Sequence, residues 1–134
     1  MAWKYWNPNP TGKHAPDCTV RAITRATGMS WDEAYTNIAI FGLMQKNMPS
    51  SNSTWGAFLR SKGFKRMPIP DDKPDDYTVE DFCRDYPKGM YVVVVEGHVL
   101  TVFDGDWFDS WNSANEFPIY YYEKKESSGE NSAT

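Results

Sequence analysis

At Met90 the chain changes period, and that change limits what it can fold into. Met90 to Val95 is a β-branched run with no polar interruption, the pattern of a strand buried on both faces. Glu96-Gly97 reads as a tight turn and His98 to Phe103 as a second strand. Asp104-Gly105 is the dipeptide a two-residue hairpin favours, because both turn positions need a positive φ. Trp107 to Trp111 reads as a third strand and Phe117 to Tyr122 as a fourth.

Before Met90 the signals are helical. A first helix is expected over 18–27, with Asp17 as N-cap and Gly28 as its stop. On it Arg21 and Arg25 share a wet face, opposite Val20, Ile23 and Thr27. Ser30 and Glu33 form a capping box for a second helix. Its apolar stripe is Trp31, Ala34, Tyr35, Ile38 and Phe41, and Gly42 is the expected end. Residues 47–54 read as a loop, and a third helix runs over 54–62 to Gly63. Three prolines and four aspartates make 64–77 a connector, with a short strand at 64–69. Thr78 caps a short helix whose stripe is Val79, Phe82, Cys83 and Tyr86. Helices first and an antiparallel meander afterwards give an α+β domain, the N-terminal helices packed on a C-terminal antiparallel sheet.

The 134 residues suffice for one domain, expected over 1–123. Residues 1–16 read as an extended N-terminal arm held down by its aromatics, and 124–134 as a disordered tail. A net charge of −4 argues against a nucleic-acid partner, which calls for a basic face. No apolar run is long enough to span a bilayer, and the N-terminus lacks a signal-peptide pattern. The two cysteines are therefore read as reduced thiols in a cytoplasm. Cys18, Cys83, His14 and His98 are scattered without paired ligand spacing, so neither a metal nor another cofactor is expected. Asp71, Asp72, Asp75 and Asp76 read as a solvated run, and Cys83 as a small core residue.

Cys18 is different, because it opens a helix. A helix N-terminus carries partial positive charge and free N–H groups, which lower a thiol pKa and can hold an oxyanion. His98 opens a strand, where it can serve as base. In the register set by a two-residue Asp104-Gly105 turn, Phe103 pairs with Asp106. His98, Leu100 and Val102 then share a face with Trp107, Asp109 and Trp111. Asp109 lies diagonal to His98, within reach of its ring. A three-residue loop would turn Asn112 inward instead, since a one-residue slip flips every side chain.

Cys18 at a helix start, Gly97-His98 at a strand start and Asp109-Ser110-Trp111 on the next strand together resemble the papain-like cysteine peptidase superfamily. The small bacterial and phage type, including bacteriocin-processing domains with an aspartate in third place, is the most similar. The resemblance spans about residues 16 to 111. It implies a papain-like fold, with Cys18 as nucleophile, His98 as base, Asp109 as orienting partner and Trp111 shielding their hydrogen bond. It implies hydrolysis of a peptide or isopeptide bond in a peptide or protein substrate, through an acyl-enzyme. Alternatives from other classes are a non-catalytic protein-binding module on the same fold, or acyl transfer to an amine of the transglutaminase-like kind. The family's oxyanion-hole glutamine has no counterpart before Cys18. Its place falls to Asn7, Asn9, Lys13 or His14, with the Cys18 backbone N–H as the other oxyanion donor. No oligomeric state is legible.

Overall fold

The computed structural model describes residues 1–125. These form an α+β domain in the order β1 (Trp3–Tyr5), α1 (Cys18–Thr27), α2 (Trp31–Gln45), α3 (Asn52–Ser61), β2 (Phe64–Pro68), α4 (Val79–Asp85), β3 (Met90–Val95), β4 (His98–Phe103), β5 (Asp106–Asp109) and β6 (Tyr120–Lys124). The strands make one mixed sheet, ordered β1-β5-β4-β3-β6-β2. β1 runs parallel to β5, and the other pairings are antiparallel.

Alternation along the central strands sorts side chains into two cores. Val92 and Val94 of β3, Val99 of β4 and Tyr122 of β6 face α1, α2 and α3. Val93, Val95, Leu100, Val102 and Tyr121 face α4. The uninterrupted valine run is thus a strand covered on both faces. Ile23, fully buried on α1, contributes about 1.5–3 kcal/mol by leaving water. The hairpin turn has the expected two residues, with Asp104 at φ 49° and Gly105 at φ 81°. Phe103 pairs with Asp106 and Val102 with Trp107, the register on which the choice of Asp109 rests.

Several expectations are corrected. The arm is partly a strand: β1 pairs with β5, Trp3 beside Trp107 and Tyr5 beside Asp109. The sheet is therefore not wholly antiparallel. Nor is it a simple meander, because the chain leaving β5 crosses β4 and β3 before β6 pairs with the far side of β3. β6 begins at Tyr120 rather than Phe117 and runs through Lys124, which pairs with Phe64, so Lys124 is not tail. The rest of the expected tail beyond Lys125 lies outside the described residues.

Gly42 does not end α2. It is buried within the helix, where a Cβ would stand 2.7 Å from the Asn47 carbonyl oxygen. The missing side chain admits the returning loop, and Lys46 makes the stop three residues after Leu43, at φ 55°. Arg21 and Arg25 do not share a wet face. α1 buries Arg21 with Ala22, Ile23, Thr24 and Ala26. Arg25 lies over the Phe108 ring, 4.2 Å from its centroid. The arm covers that flank, with the Trp6 indole N–H donating to Thr24 Oγ1 at 2.9 Å.

Candidate active site

β4 begins and β5 ends at the same end of the sheet, beside the N-terminus of α1. There Cys18, His98 and Asp109 meet. His98 Nε2 and Asp109 Oδ2 are 2.6 Å apart. The Cys18 thiol stands close enough to the same imidazole for each to shift the other's pKa, and with Nε2 held by Asp109 the nitrogen left for sulfur is Nδ1. Trp111 covers the histidine, its ring centroid 4.9 Å away and tilted by 39°.

The electrostatics favour charge on both partners. Burial pushes the Cys18 thiol up, but hydrogen bonds from His98 and from the Val99 N–H, with the charges of His98 and Arg21, outweigh it. The thiol is held below its ordinary value. Burial disfavours the charged imidazole of His98. Hydrogen bonds to Asp109 and Cys18, and their charges, overcome that and push it up to about 9. A lowered thiol beside a raised imidazole favours passing the thiol proton to the ring. Cys83 is the opposite case: burial pushes it up to about 12, and it sits on the core-facing side of α4.

Asp109 is fixed from four directions. Besides His98, its Oδ2 accepts from Ser113 Oγ at 2.7 Å, and its Oδ1 from the Ser110 N–H at 2.8 Å. Arg21 reaches Oδ1 at 3.4 Å. Its backbone carbonyl accepts from the Trp3 indole at 3.1 Å and from the Trp6 N–H at 2.8 Å. The arm thus anchors the main chain of the residue that orients the histidine.

Asp17 makes no cap hydrogen bond, although it stands at the N-cap position. Its Oδ1 pairs with Arg21 and its Oδ2 accepts from the Trp31 indole N–H at 2.8 Å. Two carboxylates, Asp17 and Asp109, are what allow a guanidinium to be buried here. This Asp17–Arg21–Asp109 chain was missed in the sequence. Its trace there is the i,i+4 spacing of Asp17 and Arg21.

The remaining candidates stand as follows. Asn112 is exposed, and its Oδ1 accepts from the Trp107 indole at 3.0 Å, so it does not reach His98. Asn7, Asn9, Lys13 and His14 lie on the loop between β1 and α1. Asn9 Oδ1 accepts from the Thr11 N–H at 2.9 Å, and Asn7 donates to the Lys13 carbonyl at 3.5 Å. Lys13 and His14 are exposed. None of the four is a hydrogen-bond partner of the Cys18 sulfur. Among the described residues no three His, Cys, Asp or Glu side chains converge as a metal site. No described helix is long and apolar enough to cross a membrane.

No protein-family model matches this chain, and no curated protein or solved structure gives a significant match.

Proposed function

We propose that this protein is a papain-like cysteine hydrolase that cleaves peptide or isopeptide bonds. One observation carries the reading: a thiol at the first residue of a helix, beside an imidazole that lowers its pKa and is itself held by a buried carboxylate. A core cysteine needs none of these partners. A nucleophile needs all of them, in that order.

The chemistry follows from the geometry. His98 takes the Cys18 proton and holds it as imidazolium. Asp109 fixes the ring and balances its charge. The thiolate attacks the acyl carbon, and the Cys18 N–H at the helix terminus donates to the developing oxyanion. The second donor comes from the 7–14 loop, where Asn7, Asn9, Lys13 and His14 are the available side chains. His98 returns its proton to the leaving amine, and water then releases the acyl group from sulfur. A reducing cytoplasm keeps such a thiol free, and the proposed enzyme is placed there.

Acyl transfer to an amine shares every step but the last. A library of internally quenched peptides and lysine-linked isopeptides, incubated with wild-type protein and Cys18→Ala, tests the reading. Cleavage present in wild type and absent in the variant supports it. Cleavage unchanged in Cys18→Ala, or no turnover by wild type, counts against it. Adding a primary amine separates transfer from hydrolysis, because an amide adduct then replaces the free acid.

A further inference from the structure

The sheet ends at β2, and positive charge collects there. The sequence has 14 Lys and Arg against 18 Asp and Glu. Yet Arg60, Lys62, Lys65, Arg66, Lys124 and Lys125 gather where α3, β2 and β6 meet. Arg60, Lys65, Arg66 and Lys125 line a recess of about 710 Å³ there, with Gly63 and Phe64. Among the described residues none of the six makes an ion pair, although Glu123 is the cross-strand neighbour of Lys65. Aromatic rings hold four of them instead. Arg66 lies 4.0 Å from the Tyr120 centroid, Lys124 5.2 Å from Phe64, Lys62 5.8 Å from Phe58 and Arg60 5.9 Å from Tyr122. A ring fixes a cation without cancelling its charge.

The backbone beside these cations is open. The Lys125 N–H donates to the Gly63 carbonyl at 2.9 Å. In the register that pairs Phe64 with Lys124 and Lys65 with Glu123, hydrogen-bonded pairs then alternate. Lys65 and Met67 turn their backbone groups toward β6, and Phe64, Arg66 and Pro68 turn theirs outward. No strand lies beyond β2, so the outward groups have no ladder partner among the described residues.

We propose that the β2 edge docks an extended acidic segment of a partner protein, which adds a strand to the sheet. Backbone hydrogen bonds at Phe64 and Arg66 hold the segment, and carboxylates opposite Lys65 and Arg66 select it. Lysine and proline on an edge commonly repel stray strands. Here they exclude a neutral or basic strand, and a second copy of β2, while an acidic strand gains from the same charges. A nucleic acid would meet the cations but not the ladder. Phe58, Phe64 and Tyr122 beneath the cations are buried, leaving their faces closed to stacking bases. The surface is separate from Cys18, so the proposal does not depend on the hydrolase reading.

The test is fluorescence anisotropy on the full chain with four labelled probes. They are a short peptide of Glu, Thr and Val, its Lys-for-Glu counterpart, the acidic peptide N-methylated throughout, and a single-stranded oligothymidylate. The acidic peptide should bind at least about tenfold tighter than each of the other three. Lys65→Glu combined with Arg66→Glu should reverse the preference between the acidic and the Lys peptide. On binding, amide exchange should slow at Phe64 and Arg66 and stay unchanged at Lys65 and Met67, which already bond β6. Equal binding of the N-methylated peptide overturns strand addition, and tighter binding of oligothymidylate assigns the face to nucleic acid and overturns the proposal. No binding of the acidic peptide up to millimolar concentration also overturns it. Should the double variant not fold, the wild-type series and the exchange pattern decide alone.

Discussion

Arg21 is a buried cation whose removal strands two carboxylates. Its side chain is 9 % exposed, and its partners Asp17 and Asp109 are 7 % and 1 % exposed. Replacing it by Met keeps the apolar stem and deletes the charge. Asp109 would retain His98, Ser113 and the Ser110 N–H. Asp17 would keep only the Trp31 indole. Removing one partner of a buried ion pair costs about 3–5 kcal/mol. The lower end applies, because the Asp109 contact is long at 3.4 Å and Arg21 Nε is itself buried without a partner. With a urea m-value of about 1.5 kcal/mol/M, a loss of about 3 kcal/mol lowers the unfolding midpoint by about 2 M. Asp17→Leu combined with Arg21→Met removes the stranded carboxylate and should recover about 1–2 kcal/mol relative to additivity. A loss under about 1 kcal/mol for Arg21→Met, with no coupling in the double variant, matches an exposed arginine. That result would refute the buried network.

Gly42→Ala should destabilise by about 1–3 kcal/mol through overpacking, although helix propensity alone favours Ala by about 1 kcal/mol. The added carbon meets backbone, the Asn47 carbonyl, rather than a movable side chain; thermal unfolding gives the sign. Asp109→Asn places an amide NH2 where only donors point, so it should lose about 1–3 kcal/mol of stability and lower the His98 pKa, both measurable by urea titration and imidazole NMR. The proposed hydrolysis needs thiolate and imidazolium together. Its rate therefore rises with pH as Cys18 ionises, below the ordinary thiol range, and falls as His98 loses its proton at about 9. A kcat/KM profile still climbing above pH 9 contradicts that assignment.

Legibility in the sequence followed the range of the signal. The capping boxes at Ser30 and Thr78, and the Asp104-Gly105 turn, are local and gave element positions close to those observed. The turn also set the register that puts Asp109, not Asn112, beside His98. Long-range pairings left no comparable mark. Three residues of β1 carry no strand pattern of their own, and they are ordered by the edge of β5. β6 was misplaced by three residues because Phe117 and Ile119 are apolar yet exposed. Arg21 looked solvated because helical spacing cannot reveal a carboxylate arriving from 88 residues away. Gly42 looked like a stop because glycine permits both a left-handed cap and a close approach, and only the returning loop decides between them.

The account stands on sulfur 18 being ionised by imidazole 98, which alkylation kinetics read directly. Limiting iodoacetamide, with the adduct mapped from pH 5 to 10 in wild type and His98→Ala, gives the thiolate fraction at each pH. The wild-type protein should react at pH 6.5 at least about tenfold faster than His98→Ala, with a plateau through neutrality. Identical curves for the two proteins, both rising only in the range of an ordinary thiol, would contradict it.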